Sequence, residues 1–204
     1  MDNIYVNTRS SIKITGTKTI YVDPLDIDRA PHDADLVFIT HEHYDHFSPK
    51  DIEKVIRKDT HIIVPLGMLD AVREKFMVQF FHGILPQEMK YFDGVKCRGI
   101  PAYNIGKPFH PKSNNWLGYL IEMDGKTYYA MGDTDATPEA KKVDADVIFI
   151  PIGGKYTMDA TESATFVNEK HPKLVVPIHY GDSEVGEHFR NLLKPDIEMQ
   201  KFWE

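Results

Sequence analysis

Asp35–Pro49, DLVFITHEHYDHFSP, runs from an apolar strand straight into three histidines and two acids within six positions. Leu36–Ile39 is an unbroken apolar run, the pattern of a strand covered on both faces. Ser48 followed by Pro49 is a helix start, and KDIEKVIRK places Ile52, Val55 and Ile56 on one helical face. Between them, His41, Glu42, His43, Asp45 and His46 are too polar for a core and too dense for an ordinary solvated loop. In an extended segment His41 and His43 can point to one side, while Asp45 and His46 fall on the turn into the helix. Such a cluster offers four donors to two adjacent cations. Neutral imidazole with carboxylate suits zinc, manganese or iron rather than calcium.

Working outward, short apolar segments alternate with turn signals. Strands are expected at Ile4–Val6, Ser11–Ile14, Thr19–Val22, Leu36–Ile39, Ile62–Val64, Val78–Phe80, Glu88–Phe92, Val95–Ile100, Leu117–Glu122, Thr127–Met131, Val147–Ile150 and Leu174–Ile178. Helices are expected from Pro49, after Pro65 through Phe76, from a capping box at Asp159 and Glu162 to before Pro172, and over Glu184–Leu193. Met123–Lys126, MDGK, reads as a hairpin turn.

Two stretches repeat one another. Lys18-Thr19 aligns with Lys126-Thr127 and Asp33–Ile39 with Asp144–Ile150, after a three-residue insertion. The pattern of strand, acidic loop, strand recurs, which implies a duplicated β-rich half. The loop after Ile39 should then face the loop after Ile150, PIGGKYTMD, across a shared edge, with Tyr156 opposite Asp45.

Composition narrows the functional classes. The chain has 204 residues, 42% hydrophobic and 27% charged, enough for one domain over residues 1–204. A net charge of -7 without a basic run argues against nucleic acid as the main partner. No segment approaches the roughly 20 apolar residues of a membrane span, and MDNIYVNTRSSIKI has no signal-like apolar stretch. A cytoplasmic location without membrane insertion is the expectation, with an oligomer left open. Cys97 stands alone, which excludes an intrachain disulfide and a multi-thiolate zinc site. Neither a G-x-S-x-G elbow nor a phosphate-binding P-loop motif occurs.

THEHYDH resembles the signature of the metallo-β-lactamase-fold hydrolases, and Asp23 in YVDP, Asp133 in AMGDTD and His179 in VPIHYG follow in that family's order. The resemblance covers nearly the whole chain. It implies an α/β fold, a four-layer αββα sandwich of two mixed β-sheets with helices outside and pseudo-symmetric halves. It also implies two divalent metal ions, zinc first, with manganese or iron as alternatives. By motif, His41 and His43 would hold one metal, Asp45, His46 and His179 the other, and Asp133 would bridge. The family's third histidine for the first metal usually follows P-A-x-H, but here the sequence reads Pro101-Ala102-Tyr103-Asn104. His110 is the candidate in its place, with Asn104 or water as the rival. Asp23 is expected to orient ligands rather than bind metal.

The expected activity is hydrolysis of a small lactone or phosphodiester by a metal-bridging hydroxide, with Asp45 also able to relay a proton. AYNIGKPFHPK, GDTD and PIGGKYTM look most like the compact branch related to ascorbate-phosphate lactonases and N-acyl-phosphatidylethanolamine phospholipase D. A small-molecule substrate would meet Lys155 and Tyr156. The alternative is a diiron redox or metal-sensing protein on the same scaffold. Asp135 could assist as a further acid or simply cap its turn. His32, His61, His82, His171 and His188 lie outside the matching motifs.

Overall fold

The computed structural model describes residues 3–200. One sheet has six strands in sequential order: β1 (Ile4–Val6), β2 (Ile12–Thr15), β3 (Thr19–Val22), β4 (Leu36–Phe38), β5 (His61–Pro65) and β6 (Phe80–Ile84). The other has seven: β7 (Met89–Phe92), β8 (Val95–Pro101), β9 (Leu117–Met123), β10 (Lys126–Ala130), β11 (Val147–Pro151), β12 (Leu174–Ile178) and β13 (Glu198–Met199). Helices α1 (Pro49–Val55) and α2 (Leu69–Arg73) belong to the first half, α3 (Ala160–Lys170) and α4 (Ser183–Leu192) to the second.

The central strands are apolar on both faces because each face meets a different layer. Leu36 and Phe38 of β4 join Val147 and Phe149 of β11 in the core between the sheets. The alternate residues point outward: Val37 and Ile39 pack with Ile52, Val55 and Val72 on the α1 and α2 side, and Ile148 and Ile150 pack with Ala164, Val167 and Phe189 on the α3 and α4 side. Period-two alternation on doubly buried strands therefore produces the four layers.

The two halves repeat in register as well as in order. In each, two antiparallel pairings (β1–β2–β3 and β8–β9–β10) lead into parallel ones (β3–β4–β5–β6 and β10–β11–β12–β13). Ile20 pairs with Leu36 and Tyr128 with Val147, the pairs that the repeat aligns. The acid ahead of the second strand closes each unit alike: Asp35 accepts the Thr19 amide at 2.7 Å and Asp146 accepts the Thr127 amide at 2.9 Å.

Local signals are mostly met. The capping box on α3 is complete, Asp159 accepting the Glu162 amide at 2.8 Å and Glu162 accepting the Asp159 amide at 3.0 Å, worth about 1 kcal/mol. Ser48 occupies the N-cap of α1, but its hydroxyl donates to Asp51 at 2.7 Å rather than capping a backbone amide. Two expectations are corrected, and one strand is additional to those expected. The strand placed at Val78–Phe80 is β6, Phe80–Ile84, whose pairing with β5 carries it through His82 and Gly83. The helix after Pro65 is a 3-10 turn at Leu66–Met68 followed by the short α2. The two-residue β13 exists only through its pairing with β12.

Candidate metal centre

The carboxyl ends of the parallel strands of both sheets meet along one edge, where open α/β sheets place their ligands. Asp23 follows β3, Thr40–His46 follow β4, Asp133 follows β10, Gly153–Tyr156 follow β11 and His179 follows β12; His110 comes from the β8–β9 loop. Three overlapping groups have ligand atoms within 4.8 Å of one another: His41, His43 and His110; Asp45, His46 and His179; and, between them, His41, His46 and Asp133. The seven residues singled out from the sequence are thus brought together, His110 included.

Asp133 lies at the middle. Its Oδ1 is 3.3 Å from His46 Nε2, and its Oδ2 is 3.4 Å from His110 Nε2 and 3.2 Å from His179 Nε2. Asp45 Oδ2 lies 3.4 Å from His179 Nε2. The chain bends sharply to reach this arrangement. Gly132, at φ 66, lies so near Thr40 that a Cβ would come 3.1 Å from that residue's Cβ. Asp23 and His179 are themselves left-handed, at φ 47 and 54, a strained state costing about 1 kcal/mol or more in a non-glycine residue.

Hydrogen bonds fix which nitrogen three of the rings present. Asp23, fully buried, accepts the Thr40 amide at 2.8 Å, the Thr40 hydroxyl at 2.6 Å and His46 Nδ1–H at 2.7 Å. A carboxylate only accepts, so His46 is protonated at Nδ1 and turns Nε2 toward Asp133. The Thr40 hydroxyl, having donated to Asp23, accepts from His41 Nδ1 at 3.0 Å, which likewise turns His41 Nε2 inward. Asn104 does the same for His110. Its amide nitrogen donates to the Tyr156 carbonyl at 2.9 Å and to Asp135 at 3.3 Å, both acceptors only, so Oδ1 must face His110 Nδ1, 3.0 Å away. Asn104 thus turns its carbonyl oxygen to the His110 ring. Asp135 steadies Asn104 and also accepts from the Ile105 amide and Lys107. Thr40, Asn104 in this role, and Trp116, whose ring packs 4.8–5.6 Å from those of His41, His43 and His110, were not singled out from the sequence.

The electrostatics call for positive charge. Burial alone would raise the Asp133 carboxyl, but the imidazoles of His46 and His179 outweigh it and hold Asp133 well below the carboxylate range. Burial would lower His46; Asp133 and Asp23 on its two sides instead raise it well above the ordinary histidine value. His41 goes the other way, lowered by burial and by the neighbouring His46. Asp45 is lowered to about 2, burial being overcome by the His179 imidazole 3.4 Å away and by the charge of His46. Among the described residues, His46 Nε2, His110 Nε2, His179 Nε2 and Asp133 Oδ1 are buried without a hydrogen-bond partner. Three orphaned imidazole nitrogens facing a carboxylate whose own Oδ1 is orphaned form a donor set suited to a cation, since isolated buried polar groups otherwise cost about 1–3 kcal/mol each. The residues fit a metal centre.

Asn104→Leu is expected to weaken metal binding at the His110 side by about 10- to 100-fold, while Asn104→Asp retains it. Competition with a chelator of known affinity measures this. Wild-type retention by Asn104→Leu would remove Asn104 from the role.

Elsewhere, Cys97 is buried, its thiol pushed up to about 12, as befits a small core residue. Lys155 and Tyr156 stand at the mouth of the centre, the Lys155 ammonium 5.0 Å above the Tyr156 ring. Tyr156 and Asp45 line the same hollow, as the repeat implies. Among the described residues no helix is long and apolar enough to cross a membrane.

The β-lactamase superfamily domain description matches residues 5–179. A UPF0173 metal-dependent hydrolase from Thermococcus onnurineus is 31% identical over 187 residues, covering 84% of this chain and 81% of the relative. A solved structure from Parabacteroides distasonis is 30% identical with a TM-score of 0.86, covering 97% of this chain and 91% of its own. Igni18, a metallo hydrolase from Ignicoccus hospitalis, shares the fold at 22% identity and a TM-score of 0.76, covering 98% and 95%.

Proposed function

The chain belongs to the β-lactamase superfamily, and on that premise we propose that it is a metal-dependent hydrolase acting on a small lactone or phosphodiester. The observation that carries this is the convergence of orphaned imidazole nitrogens on the Asp133 carboxylate. His41, His43 and His110 would hold one divalent ion, Asp45, His46 and His179 a second, and Asp133 both. Zinc is the first choice for that donor set, with manganese or iron as alternatives. Two such ions supply a water of lowered pKa and a Lewis acid for the electrophile's oxygen.

The chain's own residues do the rest. Asp23, Thr40 and Asn104 keep the three inner imidazoles turned toward the centre. Asp45 is ionised and lines the hollow, where it takes up and passes on the proton released as water attacks. Among the described residues, no serine, threonine or cysteine lines that hollow, which supports water rather than a side chain as nucleophile. Lys155 and Tyr156 contact the substrate at the rim. The name of the Thermococcus relative agrees with hydrolysis.

The test is metal analysis of untagged protein, followed by assay of the loaded protein on lactones, phosphodiesters and thioesters. Colourless protein that turns over a lactone or a phosphodiester is the expected result. An iron absorption band with no turnover would replace this reading with a diiron redox or sensing role.

A further inference from the structure

Two hollows meet at the candidate centre. The inner one, about 320 Å³, contains His43, Asp45, His110 and Asp133 and is walled by Tyr44 and Phe109. The outer one, about 340 Å³, shares Arg9, Tyr156 and His179 with it and continues past Lys155 to Gly181. The shared walls make one groove, with the candidate metal ligands at its inner end.

The outer half has an unusual charge. The chain carries a net charge of -7, yet this half is lined by Arg9 and Lys155 and by no aspartate or glutamate among the described residues. Arg9 is firmly placed there. Its backbone is left-handed at φ 45, and its carbonyl accepts the His179 amide at 3.1 Å, so the β1–β2 loop is tied to a residue of the centre itself. Its Nη1 donates to Asp45 Oδ2 at 3.1 Å, which anchors one corner of a guanidinium that carries five N–H donors. The loop bearing Lys155 is held to the same residue: at Gly153 the backbone passes so close to the His179 carbonyl oxygen that a Cβ would overlap it. Lys155 is exposed and, among the described residues, has no carboxylate partner. Two loops from opposite halves of the fold thus meet at His179 and present one cation each to the same short length of groove.

Resting on the hydrolytic reading above, we infer that the groove selects substrates carrying an oxyanion group, carboxylate or phosphate, remote from the bond that is cleaved. That group sits between Arg9 and Lys155, the body of the substrate lies against Tyr156 and Phe109, and the scissile bond reaches Asp133. Arg9 is the specificity-determining residue, with Lys155 completing the seat. A neutral substrate of the same length leaves Lys155 and the remaining N–H donors of Arg9 without an anionic partner and is bound less well.

The test uses the metal-loaded protein and binding rather than turnover. Calorimetry compares a graded series of dicarboxylates from succinate to pimelate, the phosphonocarboxylates of equal length, and the matching monocarboxylates. One carboxylate of each probe engages the metals; the second charge reports the seat. A dianion of suitable length should bind at least about tenfold more tightly than its monoanion, the margin expected of one charge-assisted hydrogen-bonded contact. Lys155→Glu and Arg9→Gln should each erase that margin at unchanged metal content, and the better of the two dianion series identifies the oxyanion. Dianions and monoanions that bind alike or not at all, or a margin that survives both substitutions, would overturn the inference. A margin that behaves as expected in protein that hydrolyses no lactone or diester would sink the proposed reaction and leave the oxyanion seat standing.

Discussion

Asp133→Asn is expected to lower the metal content below one ion per chain and kcat/KM by at least about a thousandfold, while the fold remains intact by circular dichroism. Among the described residues, Asp133 is the only carboxylate within reach of His46, His110 and His179 together, at 3.2–3.4 Å. The amide removes the negative charge that draws cations to a buried cluster of imidazoles. It also turns an N–H donor toward nitrogens whose lone pairs are needed for ligation. His110→Ala provides the contrast: His110 belongs to the His41, His43 and His110 group and not to the Asp45, His46 and His179 group, so one ion per chain should remain. Equal losses in the two variants would contradict the bridging role of Asp133. An unchanged metal content in His110→Ala would remove His110 from the first site.

Chelation at pH 7.5 is expected to lower the melting temperature by at least about 10 °C. A ligand present at about a thousand times its Kd adds roughly 4 kcal/mol of stability, and in a chain of this size each kcal/mol corresponds to about 2–4 °C. Two ions held by ligands from both halves would therefore carry a large share of stability. The difference between loaded and chelated protein should shrink as pH falls toward 5. Loaded protein needs neutral imidazoles at His41, His43, His46, His110 and His179, whereas the unfolded chain protonates its histidines near 6.5, so the loaded state loses stability as pH drops. In the chelated protein His46 is raised between Asp133 and Asp23. Its contribution is complete below about 6.5 and fades as pH rises through the folded value. The two trends diverge with increasing pH, and melting curves with and without chelator follow them. Equal melting temperatures at pH 7.5 would mean that the ions do not tie the halves together.

Much of this was legible in the chain because the decisive features are local. LVFI and VIFI are apolar throughout since both of their faces are covered, and Thr19 with Asp35 and Thr127 with Asp146 mark the two halves because one hydrogen bond closes each unit. The histidine cluster is visible because its ligands are crowded behind one strand. Other features depend on partners far away in sequence. β6 contains His82 and Gly83, which locally resemble a turn, and is defined by its pairing with β5. Asn104 shows its role only when Tyr156 and Asp135 fix its amide. Arg9 sits in the unremarked NTRSS segment, and its position becomes meaningful only once its carbonyl is found against the His179 amide. His110 lies between these cases: its place in the chain made it a candidate, and the contact of its backbone and ring with Asn104 shows how a departure from the usual motif still delivers an imidazole to the centre.

The most direct measurement is metal stoichiometry. Untagged protein loaded with excess zinc, manganese or iron and freed of unbound ion is analysed for metal per chain by mass spectrometry. Seven donors from His41, His43, Asp45, His46, His110, Asp133 and His179 exceed what one four- to six-coordinate ion can use, so saturation at two ions per chain is the predicted result. Saturation at one, with all seven residues intact, would contradict the binuclear centre.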